Sequence, residues 1–266
     1  MLSKSLTLLL CETVASAALC AQVNPAISFL QDMIANPSKI ATQEEGIRMT
    51  ENIRAAADAR SAVPVAFSAL HARSLQAQLH GALALHSIAT RPDGPSILSG
   101  EGEAILELLS LDEPRLKATA IILTEIVRIP ASVYEQRFIR FLADPSQPAA
   151  VKPSIIRLLI QSASLIDEKK GAIAKFLEVS IPRTVRFEAF NAIASHPADQ
   201  AWHADLVAIG LRDPDEEVRL LAIGLLERLG PNSVLRHGVA LNRLAQNANE
   251  SAKNRQAAER ALSLKH

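Results

Sequence analysis

The chain has 266 residues, 48% hydrophobic and 21% charged, enough apolar mass for a folded core and too much for a disordered tail. Aromatics are only 3%, so Ala and Leu supply the apolar mass, which favours helix over strand. The 28 Lys and Arg cancel the 28 Asp and Glu, which excludes a global field for nucleic acid or an anionic membrane. Two cysteines exclude a disulfide-rich scaffold and a four-cysteine zinc site.

The chain opens Met1-Leu2-Ser3-Lys4, then runs apolar over Leu6–Leu10 and again, with small residues, over Val14–Ala21. Gln22, Asn24 and Pro25 follow as a polar break. That layout predicts a signal peptide over 1–21, cut after Ala17, Ala18 or Ala21, and a protein exported to the periplasm or beyond. Glu12 works against insertion, and the alternative is an apolar first helix in a cytoplasmic protein. The stretch is too short and interrupted for a lasting membrane span. Both cysteines, Cys11 and Cys20, fall inside it. A lipid anchor at Cys20 is disfavoured, because Leu19 stands where a small residue is wanted.

From residue 22 onward the chain reads as a single domain of seven helical hairpins. Helices are expected over Pro25–Asn36 and Thr42–Ala59, Ala62–His71 and Ser74–Ala89, Glu103–Ser110 and Glu113–Val127. They continue over Ser132–Ala143 and Gln147–Ser162, Ile166–Val179 and Pro182–Ala194. The last are Asp199–Leu211 and Pro214–Leu229, and Ser233–Gln246 and Glu250–Ser263. A longer irregular stretch spans 91–102, with Pro92, Gly94, Pro95, Gly100 and Gly102; its apolar Ile97 and Leu98 are candidates for docking on a partner. Pro114, Pro182 and Pro214 suit first helical positions, whereas Pro153 falls inside an expected helix and should kink it.

The sixth hairpin is the clearest. Asp213 is placed to cap its second helix, with Pro214 next and Glu216 at capping-box spacing. Val218, Ala222, Leu225 and Leu229 form one apolar stripe, and Gly230-Pro231 ends the helix. Positions like Val218 recur at Ile47, Leu79, Leu116, Val151, Val185 and Ala252, at intervals of about 32 to 37 residues. Two helices per repeat of that length predict an all-α fold, an α-solenoid in which each hairpin buries its faces against its neighbours.

The run Asp213-Pro214-Asp215-Glu216-Glu217-Val218-Arg219, with Ala222, Leu225 and Leu229-Gly230, resembles a HEAT repeat. More narrowly it is similar to the short HEAT-like repeats named from phycobilisome lyases. The match is strong over 206–230, fair over 102–195 and weak towards both ends. Tetratricopeptide repeats share the period, but their Trp, Gly, Tyr and Pro signature is absent. The resemblance implies a solenoid that binds other macromolecules, usually without catalysis.

A basic residue follows each repeat position: Arg48, His80, Lys117, Lys152, Arg186, Arg219 and Lys253. This column is either a binding seam for phosphates or an acidic peptide, or a structural ladder tying repeats through Asp112, Asp144 and Asp213. The ladder is favoured, because acids accompany the bases and HEAT repeats commonly carry such an Asp–Arg pattern. Asp199, Trp202, His203 and Asp205, with His196, form the densest polar cluster, weighed as helix caps against a metal site. Trp202 is a candidate partner anchor or a packing residue. No Gly-rich phosphate loop, serine elbow, paired Cys/His zinc motif or His-Glu helix motif appears, so no catalytic residue, cofactor or metal ligand is assigned. The functional expectation is a non-catalytic protein-binding scaffold with no nucleic acid partner. An accessory or lyase-like subunit acting on a protein stands second, and a nucleic-acid or polyanion binder third.

Overall fold

The computed structural model describes residues 24–162, 167–195 and 201–264; the expected signal segment lies outside them. They contain sixteen α-helices and no strand. Contacts group the chain into two compact units, Met1–Arg128 and Ile129–His266. The described helices follow the expected chain order in an all-α helical-repeat fold.

Unit 1 contains α1 (Pro25–Ala35), α2 (Gln43–Ala55), α3 (Val63–Leu70), α4 (Leu75–Ala89), α5 (Gly94–Ile97), α6 (Gly102–Glu107) and α7 (Pro114–Val127). Its helices start where local chemistry supplies an acceptor. Asn24 Oδ1 accepts from Ala26 N at 3.0 Å. Thr42 and Glu45 close a capping box on α2, each side chain accepting from the other's backbone amide. The second helices α2, α4 and α7 stack in sequence, and α1 packs on α3. Leu30, Met49, Ile53, Leu85, Ile88 and Leu116 are fully covered between these layers. At Gly81 an added Cβ would lie 2.6 Å from Ala66 O, so α3 and α4 approach too closely for a side chain there.

Residues 91–102 are more ordered than their Gly and Pro content suggests. Gly94 opens the short helix α5, where an added Cβ would meet Ile88 O at 2.0 Å. Leu98 is fully buried, which removes it as a docking residue. Arg91 Nη1 donates to Ile53 O and Arg54 O at 2.8 and 2.6 Å, satisfying carbonyls left over at the end of α2. The unit ends where Arg128 takes a left-handed conformation, φ 58°, as the C-cap of α7.

Unit 2 contains α8 (Ala131–Ala143), α9 (Lys152–Gln161), α10 (Asp167–Phe176), α11 (Arg183–Ala194), α12 (Ala201–Ile209) and α13 (Glu216–Arg228), then α14 (Pro231–Arg236), α15 (Gly238–Gln246) and α16 (Ala252–Ser263). Here α9, α11, α13 and α16 form one layer, and α8, α10 and α12 the other. Pro153 does not kink its helix. A 3₁₀ turn at Ala149–Val151 leads into α9, and Pro153 occupies its first turn, where no intrahelical amide bond is lost. The first helix of the last hairpin is broken in two at His237. In α13, Val218, Ala222 and Leu225 are buried as one stripe, and Gly230, at φ 94°, ends the helix in a conformation that favours glycine.

The cap of α13 is Asp215 rather than Asp213. Asp215 Oδ1 accepts from Glu217 N at 3.0 Å and Val218 N at 3.2 Å. Asp213 sits two residues earlier, buried, with Oδ1 accepting from Asp215 N at 2.9 Å. Its carboxylate is engaged by an arginine of the preceding hairpin, so the cap moves two residues on.

Candidate functional site

The basic column divides into buried and exposed members. Lys117, Lys152 and Arg186 are buried, which removes them from any solvent-facing seam. Arg186 grips Asp213 with both arms, Nε to Oδ2 and Nη2 to Oδ1, each at 2.7 Å. Arg219 repeats this one hairpin later, with Nε and Nη2 on Glu250 at 2.7 and 2.8 Å. The paired forks match guanidinium to carboxylate geometry. Arg219 holds the Glu250 carboxyl below its ordinary value, and Glu250 in turn raises Arg219. Lys152 does not reach the Asp144 carboxylate; Nζ donates to Leu142 O at 3.2 Å and Asp144 O at 2.7 Å, and burial lowers its pKa. Donors on Gln147 and Ser146 hold Asp144 down to about 2.

The ends of the column are misassigned by two residues. Arg48 is exposed and pairs with Glu44 on its own helix at 3.1 Å. His80 is half-buried, with Nδ1 2.7 Å from Gln76 O and its ring edge-on to Phe29 at 5.3 Å. Lys253 is exposed. The structural position is the fourth residue of the second helix, occupied by Gln78, Lys117, Arg186, Arg219 and Arg255. Lys152 is equivalent when the preceding 3₁₀ turn is included. Donors there reach back to carbonyls of the turn inside the hairpin. Gln78 Nε2 reaches Ala72 O at 3.0 Å, Arg219 Nη1 reaches Asp213 O at 2.7 Å, and Arg255 Nη1 reaches Glu250 O at 2.5 Å. Arg186 Nη1 likewise donates to Ile181 O. These carbonyls have no helical partner, so the donor satisfies an otherwise orphaned group. Gln78 and Arg255 were missed because a search for basic residues beside an apolar one passes over an amide and slips where the turn length changes.

A second buried polar group lies between α8, α9, α10 and α12. Lys169, fully buried, donates to Glu135 Oε1 at 3.0 Å and Ser162 Oγ at 2.9 Å, and Ser162 Oγ is 2.7 Å from Glu135 Oε1. Trp202 covers it, with Lys169 Nζ 5.7 Å from the indole and His203 edge-on at 4.0 Å. Trp202 is 5% exposed, which corrects its reading as a partner anchor: neighbours inside its own unit cover the ring. His203 is buried beside it, while His196 and Asp199 lie outside the described residues. Among the described residues no group of three His, Cys, Asp or Glu is placed to hold a metal ion.

An opening in unit 2 lies where the 3₁₀ turn Gly210–Arg212 faces α15. Two adjoining cavities of about 660 and 430 Å³ share Arg212, His237 and Ala240. Val179 and Val239, on their walls, are 60% and 71% exposed. Arg236 is held by Asp205, with Nε on Oδ1 at 2.6 Å and Nη2 on Oδ2 at 2.9 Å. His237 Nε2 lies 3.3 Å from the same carboxylate, and burial lowers its pKa despite that neighbour. Unit 1 has a smaller groove of about 410 Å³ lined by Ile47, His80 and Leu83, with Ile47 and Leu83 partly exposed. Neither groove was expected from sequence, since each joins side chains from separate hairpins.

No family model and no curated protein sequence matches the chain. Its fold is similar to a crystal structure of an engineered protein, with a TM-score of 0.51 and 20% identity, covering 90% of this chain and 67% of that one. At that identity the likeness concerns the fold alone. Among the described residues no helix is long and apolar enough to cross a membrane.

Proposed function

We propose that the protein is a non-catalytic interaction protein, a HEAT-like solenoid that holds a partner protein on its surface. The observation that carries this reading is the commitment of its buried and half-buried basic side chains. Lys152, Lys169, Arg186 and Arg219 each donate to carbonyls or carboxylates of their own unit. Catalysis needs an acid, base or nucleophile facing an opening that admits substrate. Ser162 and Lys169 have the spacing of a nucleophile and base, but Glu135 takes a hydrogen bond from each and the group is buried. The groove lining offers arginines and exposed apolar side chains, the chemistry of recognition. The HEAT-like reading is further supported by the Arg186–Asp213 pair, which joins one hairpin to the next.

Affinity capture from native extract tests the proposal. One protein retained in stoichiometric amount supports it, whereas substrate turnover by the purified chain overturns it in favour of a lyase-like enzyme. Export belongs to the same proposal and rests on the pattern of residues 1–21. Bulk protein beginning near Ala18, Cys20 or Gln22 supports it; a retained Met1 or Leu2 overturns it.

A further inference from the structure

The arginines of unit 2 provide the starting point. Arg183, Arg186, Arg219, Arg236 and Arg260 pair with carboxylates, and Arg140, Arg228 and Arg255 donate to carbonyls. Arg137 and Arg157 are also engaged. Arg212 and Arg243 are exposed and make no hydrogen bond or ion pair among the described residues. Both line the same 430 Å³ groove. Its wall also carries Arg236 and His237, and none of its described lining residues is an acid. The adjoining cavity carries three acids: Asp205 is paired with Arg236, Asp213 with Arg186, and Glu178 is exposed, so within the 430 Å³ groove itself the unpaired charge is that of Arg212 and Arg243.

The apolar component lies beside them. Val239 and Ala240 belong to α15, in the stretch between Arg236 and Arg243, and Val239 is among the most exposed large apolar residues of the described chain. Two unpaired arginines in a groove that also holds exposed apolar side chains fit a ligand that is anionic and apolar at once. Free phosphate would satisfy the guanidinium groups and leave Val239 wet. Single-stranded nucleic acid would need stacking platforms, and the described lining has no aromatic ring besides the imidazole of His237.

We propose that this groove docks a short acidic segment of a partner protein, its carboxylates held by Arg212 and Arg243 and an apolar side chain seated on Val239 and Ala240. The inference rests on the reading of the protein as a binding scaffold and specifies the chemistry of its partner.

Fluorescence anisotropy tests this with a labelled peptide carrying two glutamates around a leucine. A glutamine version, a version with alanine for leucine, labelled oligo-dT and heparin serve as comparisons. The full chain should bind the glutamate–leucine peptide, and weaken with either peptide substitution. The variant Arg212→Glu/Arg243→Glu should bind it about tenfold more weakly or worse, with an unchanged melting temperature because neither arginine has an internal partner. Val239→Ser should also weaken it while leaving the salt dependence as in wild type. Equal binding by wild type and the double variant overturns the proposal, as does failure of the peptide to bind. Binding of oligo-dT or heparin in place of the peptide, lost in the double variant, overturns it in favour of a polyanion site. Affinity capture separates this from failure of the scaffold itself. If the double variant retains the native partner as wild type does, only the groove assignment fails; if wild type retains none, the scaffold reading fails.

Discussion

The two units solve the same problem, holding neighbouring helices together, with different chemistry. Unit 1 relies on close approach and on donors that meet backbone carbonyls. Gly81 lets α3 and α4 touch, Gly94 lets its turn lie against the end of α4, and Arg91 crosses to the carbonyls ending α2. Unit 2 inserts ion pairs with at least one partner buried: Arg186–Asp213, Arg219–Glu250 and Lys169–Glu135. A packing joint fails when a methyl group is added, whereas a buried ionic joint fails when one partner is removed and the other is left desolvated. The difference also separates what each surface can offer. Unit 1 leaves Ile47, Leu83 and Ile122 partly exposed on successive second helices, while unit 2 leaves two unpaired arginines beside one groove.

The largest effect should come from breaking the tightest ionic joint. Asp213→Ala leaves the Arg186 guanidinium buried without its carboxylate and should destabilise unit 2 by about 3–5 kcal/mol. Hydrogen exchange followed by peptide mass would register the loss in α11 and α13. A shift in urea midpoint no larger than for a surface variant would mean that Arg186 re-solvates and that the joint is not ionic in effect. Next, Gly81→Ala pushes a methyl group into Ala66 O and should cost unit 1 about 1–3 kcal/mol. An unchanged midpoint would show that α3 and α4 separate freely, removing the packing side of the comparison.

The helices were readable in sequence because several local signals agreed within each hairpin. Pro114 marked a start, Val218, Ala222 and Leu225 gave one face, and Gly230-Pro231 marked a stop. What failed was anything that depended on a competing use of a residue. Asp213 is a good cap by type, yet Arg186 claims its carboxylate from another hairpin. Residues 91–102 looked irregular from their Gly and Pro, but Gly94 is there for close packing and Leu98 for the core. Of the basic column, spacing located Arg186 and Arg219, while His80 and Lys253 each lie two residues from the donor that meets the turn. The groove was illegible because Arg212, Val239 and Arg243 share no motif and meet only through tertiary packing.

A smaller effect than these depends on pH. Arg219 holds Glu250 below its ordinary value of 4.5, so the folded chain keeps this carboxylate ionised more readily than the unfolded chain does. A depressed acid contributes stability that is fully present above the unfolded pKa and is lost as pH falls through the folded one. The melting-temperature gap between wild type and Glu250→Gln should therefore be widest near neutral pH and narrow progressively below about 4.5. A gap that stays constant into acid would assign the contribution of Glu250 to shape and neutral hydrogen bonds, making this joint resemble those of unit 1.

The smallest effects compare residues two apart on one helix. Lys253 is exposed, whereas Arg255 Nη1 donates to Glu250 O in the turn before α16. Arg255→Ala should lower stability by about 0.5–1.5 kcal/mol, the usual net contribution of an internal hydrogen bond. Lys253→Ala should leave the urea midpoint unchanged. Arg48→Ala should do the same in unit 1, because its pair with Glu44 lies in water and an exposed ion pair is screened by solvent and salt. The repeated joint would then follow the fourth residue of each second helix whether that residue is Gln78, Arg186 or Arg255, with charge needed only where a carboxylate from the next hairpin meets it. The reverse ranking, with Lys253→Ala costing more than Arg255→Ala, would return the joint to the column of basic residues that sequence spacing first suggested.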